Sequence, residues 1–528
     1  MTYDAIIVGA GAAGLTAAAY LSKYGRRVLL CEKEAQCGGL VTSFQRNGFT
    51  FDGGIRALED SGVLFTMLRQ LGLEIEFVKN RVSLGIEDRV FEITPEKSLD
   101  EYGKLLTHLY PDSKNEIVAI INDLRLIMHY MDIQYGIDNP LFMDPVKDRD
   151  YFIKKVLPWM IKYAFNVRKV MAKNKPVIPY LHQFTSNQAL LDIISQHFFT
   201  ETPAFFALSY FRLFQDYYYP KSGTGTFTRK LVEFIQQNGG EIRTNTQIAS
   251  INLDQNNVTT TEGEILPFRQ LLWAADQKSL YRIIDIESLN DFKLRDAVNE
   301  RKALIADKVG NDSVFSLYLM VNLDKSYFEK IATGHFFYTP SRTGQSAAGA
   351  IPSHGTRQEI KTWLDRFLPL TTYEIAIPVL RDASLAPAGK TGLIISLLFD
   401  YQLTKTIQEQ GWEQEFREQI SKTIVDTLDS SIYPGLAAAV MDSFTFTPLT
   451  MQKVTGNTDG AITGWSFTNQ PMPAESRMPS IANSVNTPIT NITQAGQWTY
   501  SPSGLPVSLI TGKLAADKIH KLLRKEFK

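Results

Sequence analysis

Gly9, Gly11 and Gly14 follow the apolar run Ala5-Ile6-Ile7-Val8, and Glu32 closes a second apolar run, Val28-Leu29-Leu30-Cys31. Glycines in that setting do three things. The first allows a sharp turn, the second lets a pyrophosphate approach the main chain, and the third lets the next helix lie close on the sheet. The amides at the helix start then face the phosphates. A carboxylate roughly 20 residues further on accepts hydrogen bonds from both hydroxyls of an adenosine ribose and repels a 2′-phosphate. With strand, glycines, helix, second strand and acid in register, the segment reads as a dinucleotide-binding unit. The alternative is a glycine-rich turn in an ordinary α/β layer.

Other reactive side chains form no comparable pattern. The seven histidines show no metal-ligand spacing, so no metal is expected, and His197 and His335 read as packed or surface residues rather than acids or bases. Cys31 and Cys37 are too far apart for a Cys-x-x-Cys redox pair and provide no disulfide framework. Rings are dense from His197-Phe198-Phe199 to Tyr217-Tyr218-Tyr219, which suits core packing and equally suits the wall of an apolar tunnel. From Tyr151 to Lys175, seven cations (Lys154, Lys155, Lys162, Arg168, Lys169, Lys173 and Lys175) alternate with apolar residues, and no acid interrupts them. Such a stretch could dock on an anionic lipid surface; a solvated helical face is the alternative.

The elements that must position these groups follow from periodicity. A helix after the glycines ends near Gly25, and the region from Tyr102 to Tyr130 has a helical period. Pro158 breaks or kinks any helix through the basic stretch. Gly223 and Gly225 precede an amphipathic helix, Phe227 to Gln237; Gly239-Gly240 stop it, and Glu241 to Ile251 alternates as a strand. Further strands are expected at Val314 to Val321, Tyr373 to Val379 and Leu393 to Phe399, and a last helix from about Leu505.

A chain of 528 residues with 44 % apolar residues can build two or three domains. Its net charge of -1 argues against nucleic acid as a partner. No charged leader precedes an apolar core at the N-terminus, and no uncharged stretch of about 18 or more apolar residues is present. A cytoplasmic protein, peripherally membrane-associated through residues 151–175, is the expectation.

Residue spacing leaves NAD and FAD open. After Glu32 come Gly38-Gly39 and then Phe51-Asp52-Gly53-Gly54, a continuation that resembles the FAD-dependent amine oxidase superfamily. "YPKSGTGTFTRKLVEFIQQNGGEIRTNTQIASI" (219–251) and "QLLWAADQKSLY" (270–281) resemble its phytoene desaturase, carotenoid isomerase and retinol saturase-like branch, as do "TPLTMQKVTGNTDGAITGW" (447–465) and "AGQWTYSPSGLPVSLITGKLAAD" (495–517). Ser222 and the segment Ser501-Pro502-Ser503-Gly504 depart from the glycines more common there.

The resemblance implies FAD as cofactor. The residues it implies around that cofactor are Gly9, Gly11, Ala12, Ala13, Gly14, Glu32, Lys33, Gly38, Gly39, Leu40, Gly53, Gly54, Ile55 and Arg56, with Ile248, Ala275, Asp276, Gly496, Gly504, Leu505 and Pro506 from later segments. It further implies an α/β chain with a Rossmann-like FAD-binding domain of glutathione reductase type, discontinuous over 1–75, 215–285 and 460–528. A helical cap would occupy 80–215, and a mixed-sheet substrate domain 285–460. The implied activity is desaturation, saturation or cis-trans isomerisation of a long apolar polyene, isoprenoid or lipid, with a quinone or oxygen as electron partner. A flavin amine oxidase-like enzyme and a flavin-free prenyl or lipid carrier are the alternatives. No side chain stands out as catalytic; Arg56 is the one weak candidate, and a structural salt bridge is its competing role.

Overall fold

Two nearly buried strands, Tyr3–Val8 and Val28–Cys31, pair in parallel and are joined by the crossover helix Ala12–Lys23. Their unbroken apolar runs are what a parallel strand covered on both faces requires. In this computed structural model, which describes residues 2–95, 97–287 and 289–525, the parallel sheet continues on both sides. Glu241–Arg243 lies outside Val28–Cys31. On the other side, Ile265–Trp273 pairs with Tyr3–Val8, and Ile492–Gln494 lies beyond it. Distant parts of the chain therefore complete one layer.

The strand expected from Glu241 to Ile251 is two strands. Glu241–Arg243 stays in the parallel sheet, while Ile248–Asn252 pairs antiparallel with Asn257–Thr260. Between them Asn245 takes a left-handed conformation, φ 51°, and the chain turns around the second strand's end: the Asn245 and Thr246 amides donate to the Glu34 and Glu32 carbonyls. An alternating pattern cannot show such a turn.

The helices Ala12–Lys23, Gly225–Gln237 and Leu505–Lys525 cover one face of the sheet and share its core. Close approach of the first and last is possible because Gly512 has no side chain: a Cβ there would lie 2.5 Å from the Ala13 carbonyl oxygen. The other face buries Ile6, Leu29, Leu271 and Trp273 against Leu280, Val298 and Trp465.

A second, seven-stranded sheet has the order Val440–Phe446, Ser313–Val321, Thr391–Phe399, Tyr373–Ala376, His335–Thr339, Val82–Ile86, Arg89–Glu92. Only the pair His335–Thr339 with Val82–Ile86 runs parallel, so the sheet is mixed, as expected. All three anticipated strands belong to it. Tyr373–Ala376 stops short of Val379 because Pro378 opens a 3₁₀ turn and cannot donate to the ladder. A three-stranded sheet of Leu58–Glu59, Tyr217–Pro220 and Phe77–Lys79 stands beside these two.

From Ser98 onward the region before Tyr217 is helical. The expected continuous helix from Tyr102 to Tyr130 is divided into Ser98–Leu109 and Lys114–Tyr135 by a turn at Pro111–Ser113. Pro158 causes no break: it is the second residue of Leu157–Met171, and a π-helical turn, Phe152–Val156, leads into that helix without interruption. The wider turn accommodates a residue that has no N–H for the ladder.

Candidate cofactor and substrate sites

The carboxyl end of Tyr3–Val8 collects most of the motif residues. Gly9 has φ 97°, and a Cβ on it would meet the Ala274 carbonyl oxygen at 2.9 Å and the Ala275 Cβ at 3.4 Å. A Cβ on Gly14 would stand 1.9 Å from the Gly9 carbonyl oxygen, so the helix is pressed onto the turn. Gly11 differs from both. It precedes the helix in extended backbone, φ -74°, and a Cβ there would meet nothing within 4 Å. Packing therefore explains Gly9 and Gly14 and leaves open space at Gly11, where a pyrophosphate needs it.

Gly38 and Gly39 close one wall of this space. Gly38 forms a parallel bridge with Gly11, its amide donates to the Ala10 carbonyl at 2.8 Å, and a Cβ on Gly39 would lie 3.4 Å from Gly11 Cα. Ala13, on the first helix turn, faces Gly496, whose φ is 99° and whose Cβ would lie 3.3 Å from that of Ala13. Leu505 and Pro506 start the last helix, Gly504 precedes it, and a Cβ on Gly504 would meet only Pro506 Cδ at 4.0 Å. Ala12 begins the first helix.

Glu32 is nearly buried, and both of its carboxylate oxygens are engaged once: Oε2 accepts from the Ala10 amide at 2.7 Å and Oε1 from the Glu34 amide at 3.0 Å. A carboxylate offers about four lone-pair positions, so two acceptor positions remain for a ribose diol. The Lys33 ammonium is spent elsewhere, on Glu34, the Lys453 carbonyl at 3.0 Å and the Val454 carbonyl at 2.7 Å, so it ties this loop to the helix Pro448–Thr455. Ile248 packs in the core with Val8, Leu29 and Cys31. Asp276 caps the helix Gln277–Ile283 through Ser279 and accepts from the Thr458 amide and hydroxyl. Its two oxygens thus serve structure, and Ala275 lies against Gly9.

Gly53 and Gly54 owe their lack of side chains to Thr42 and Leu40. A Cβ on Gly54 would lie 2.2 Å from the Leu40 carbonyl oxygen, and one on Gly53 would lie 2.7 Å from Thr42 Cγ2. Ile55 donates its amide to the same Leu40 carbonyl at 2.9 Å. Among the described residues Arg56 forms no salt bridge, the role expected as its alternative. Buried, it donates from Nη1 to the Asp52 carbonyl at 2.8 Å and from Nη2 to Ser396 Oγ at 3.1 Å, while Nε has no partner. Ser396 belongs to the second sheet, so Arg56 links the glycine-rich segment to it. A Cβ-free cradle at Gly11, spare acceptors on Glu32, and unpartnered buried donors at Thr42 Oγ1 and Arg56 Nε together fit a ligand with a pyrophosphate, a ribose and a polar ring system.

Beyond Arg56, the strands His335–Thr339 and Tyr373–Ala376 carry a hydrogen-bonded chain. Asn80 Nδ2 lies 3.0 Å from His335 Nδ1, and His335 Nε2 lies 2.8 Å from Glu374 Oε1. Asn80 can only donate from that nitrogen, so Nδ1 is the acceptor and the Nε2–H donates to Glu374. Burial holds His335 below its ordinary pKa and keeps the ring neutral. Burial pushes Glu374 up, but the His335 hydrogen bond and the Arg56 and Arg381 charges outweigh it and keep the carboxyl below its usual range. His197 is held down to about 4 by burial alone.

The aromatic block supplies core, with Phe205, Phe211 and Phe214 buried, and also something else. Tyr210, Tyr217 and Glu374 are enclosed by protein and still keep accessible surface; for the Glu374 side chain it is 33 %. The Tyr217 ring stacks on His335 with centroids 5.9 Å apart, and Phe337 lies 5.1 Å from both His335 and Phe214. Rings therefore line a chamber beside Glu374, whose polar groups include Glu374, His335 and Tyr217. Sequence reasoning passed over Glu374. Its one signal was a carboxylate inside the otherwise apolar strand Tyr373-Glu374-Ile375-Ala376.

The fold joins a cradle with room for a dinucleotide to a second, mixed-sheet layer. Residues 7–71 match the model of the NAD(P)-binding Rossmann-like domain. The chain is 22 % identical over 466 residues to a chloroplastic prolycopene isomerase of Arabidopsis thaliana, covering 85 % of this chain and 72 % of that protein. It is 22 % identical over 532 residues to a 4,4'-diapophytoene desaturase (4,4'-diaponeurosporene-forming) of Staphylococcus aureus, covering 98 % of each. Among solved structures, putrescine oxidase bound to putrescine superposes with a TM-score of 0.60 at 14 % identity, over 98 % of this chain and 99 % of that one. The resemblance read from the motifs, to the phytoene desaturase and carotenoid isomerase-like branch, holds along the whole chain.

Proposed function

We propose that this protein is an FAD-dependent oxidoreductase or isomerase acting on C=C and C–C bonds of a long apolar polyene, by desaturation, saturation or cis-trans isomerisation. The observation that carries the reading is the similarity to a diapophytoene desaturase over 98 % of both chains. The rings beside Glu374 support it, because a pocket for a long hydrocarbon is lined mainly by apolar and aromatic groups with a few polar ones. Bound FAD supplies the two-electron chemistry. This chain's residues do the rest. The open backbone at Gly11 admits the pyrophosphate, Glu32 takes the ribose hydroxyls, and the amides of the first helix turn face the phosphates. Arg56 brings a fixed positive charge to the junction of the two sheets, and the aromatic walls keep water from the reacting bonds. A quinone or oxygen is the acceptor to be tried for a net desaturation.

Peripheral contact with a membrane belongs to the same proposal. Leu157, Met160, Ile161, Phe165 and Met171 are each more than half exposed on one helix, Phe165 at 75 %. Exposed apolar residues at helical spacing, flanked by Lys154, Lys155 and Lys162, match an interfacial helix. Lys173 is not part of that surface, since it is paired with Asp123 and Tyr180. Among the described residues no helix is long and apolar enough to cross a membrane.

Purified protein should be yellow, with an absorbance band near about 450 nm, as for flavins generally. Anaerobic incubation with reduced cofactor and a panel of polyenes, retinoids and unsaturated fatty acids should yield an isomer or a product of altered mass. No change in any lipid would overturn the reading. The likeness to putrescine oxidase favours an amine oxidase-like enzyme as the second reading, and peroxide release on adding amines would establish it.

A further inference from the structure

The chamber holds a second carboxylate. Glu59, on the strand Leu58–Glu59, pairs in register with Tyr217, whose ring stacks on His335, which in turn holds Glu374. Glu59, Tyr217, His335 and Glu374 thus form one connected string. The charges of both carboxylates push the Tyr210 and Tyr217 hydroxyls up, so both lie near those phenols. Glu59, like Glu374, is enclosed by protein and keeps accessible surface, and its one hydrogen bond comes from the Ser61 hydroxyl. No structural task consumes either group: among the described residues neither is bound to a lysine or an arginine within ion-pair distance. A buried carboxylate without a cationic partner is costly unless it has work to do.

We propose that Glu374 and Glu59, on either side of the stacked Tyr217 and His335 rings, are the base and the acid that move protons on the substrate, with His335 and Asn80 positioning Glu374. The proposal rests on the polyene reading above. In a dehydrogenation bound FAD would supply the acceptor for one hydrogen and its bonding pair. The adjacent carbon gives its proton to the Glu374 carboxylate, which becomes a carboxylic acid. The electron pair of that C–H bond becomes the second bond of the new C=C. In an isomerisation Glu59 adds its proton to one end of the polyene, a bond of lowered order rotates in the delocalised cation, and Glu59 takes the same proton back. The Glu374 carboxylate then balances the charge of the cation.

The electrostatics agree with this division of roles. Burial, with Asp216 and Asp60 beside it and Arg212 opposing them, pushes Glu59 up to about 7, so it carries a proton in mildly acidic solution. Glu374, facing His335, Arg56 and Arg381, stays ionised. Environments that drive two carboxyls apart in this way assign the acid and the base.

The test uses the full-length holoenzyme and the variants E59Q, E374Q and E374D. Infrared difference spectra at pH 6, wild type minus variant, should show a protonated carboxyl band for E59Q and an ionised carboxylate band for E374Q. On a polyene that the wild type converts, E374Q should lose at least about 100-fold in rate, the range of general acid–base catalysis, with polyene binding followed by its visible absorbance unchanged. E374D, which keeps the carboxylate, should recover part of that rate. A protonated band that survives E59Q, or an E374Q rate within about threefold of wild type, would overturn the assignment. A yellow wild type inert toward every polyene would instead overturn the functional reading. The infrared result decides the protonation states in either case.

Discussion

At the scale of single residues, the glycines separate the demands of the fold from those of the ligand. Gly14 and Gly11 are three residues apart, and only Gly11 has room for a side chain. Replacing Gly14 by Ala forces Cβ against the Gly9 carbonyl and should cost about 2–4 kcal/mol of stability, as overpacked sites do, seen as a lower midpoint in urea. Gly11→Val should leave that midpoint within about 0.5 kcal/mol of wild type in the protein stripped of cofactor, while bound flavin falls at least about tenfold. Equal flavin content in the two proteins would count against the cradle. Glu59 makes a prediction of the opposite kind. Its carboxyl is raised from 4.5 to about 7 in the folded protein, so between those values the folded state binds more protons than the unfolded one. Stability must then fall as pH rises through that window, by up to about 3 kcal/mol from this group. E59Q has no such proton to lose. Its denaturation midpoint relative to wild type should rise between pH 5 and pH 8, about those two carboxyl values, and a constant difference would refute the shift.

At the scale of elements, the helix Leu157–Met171 is the least reconciled with an isolated molecule. Its packing residues are few: Asn166 is buried, with its side chain donating to the Tyr130 carbonyl, and Trp159 donates to the Ile133 carbonyl. The apolar residues between them point to solvent. Replacing Ile161 and Phe165 by Ser should therefore leave the fold within about 0.5 kcal/mol and still weaken cosedimentation with anionic liposomes severalfold. Neutralising Lys154, Lys155 and Lys162 should do the same with a stronger salt dependence. Liposome binding unaltered in both variants would leave the helix as a solvated face. This element was legible in the sequence because its cations and apolar residues alternate. Its geometry was not: a wider helical turn ahead of Pro158 takes up the missing amide, and a composition cannot say that such a turn will form.

At the scale of the whole molecule, ligand binding should be felt as stability. The cradle gathers residues from both ends of the chain: Gly9 to Gly14, Glu32, Gly38-Gly39, then Ala274-Ala275 and Gly496. A ligand bound there ties the N-terminal and C-terminal segments together. FAD at 100 times its dissociation constant should stabilise the protein by about 2.7 kcal/mol, read as a higher thermal midpoint. Gly11→Val should abolish that rise; a rise of the same size in the variant would place the ligand elsewhere. The two sheets meet at Arg56, with Arg381 donating to its carbonyl at 3.0 Å and Tyr318 donating to the Asp52 carbonyl at 3.3 Å. Chamber and cradle are thereby held in one register.

The sequence by itself determined the parallel sheet's first two strands, the glycine turn, the last helix and three strands of the mixed sheet. These depend on local propensity, short-range periodicity and motif spacing, all of which lie within a few residues of one another. Only the tertiary structure decided that Glu241 and Ile248 belong to different strands, that Arg56 reaches Ser396, and that Glu59 stands beside the Tyr217 that stacks on the histidine holding Glu374. Arg56 and Ser396, like Glu59 and Glu374, are separated by hundreds of positions, and their meeting is set by how the sheets stack rather than by any pattern along the chain. A carboxylate in a short strand looks ordinary until the walls around it are known.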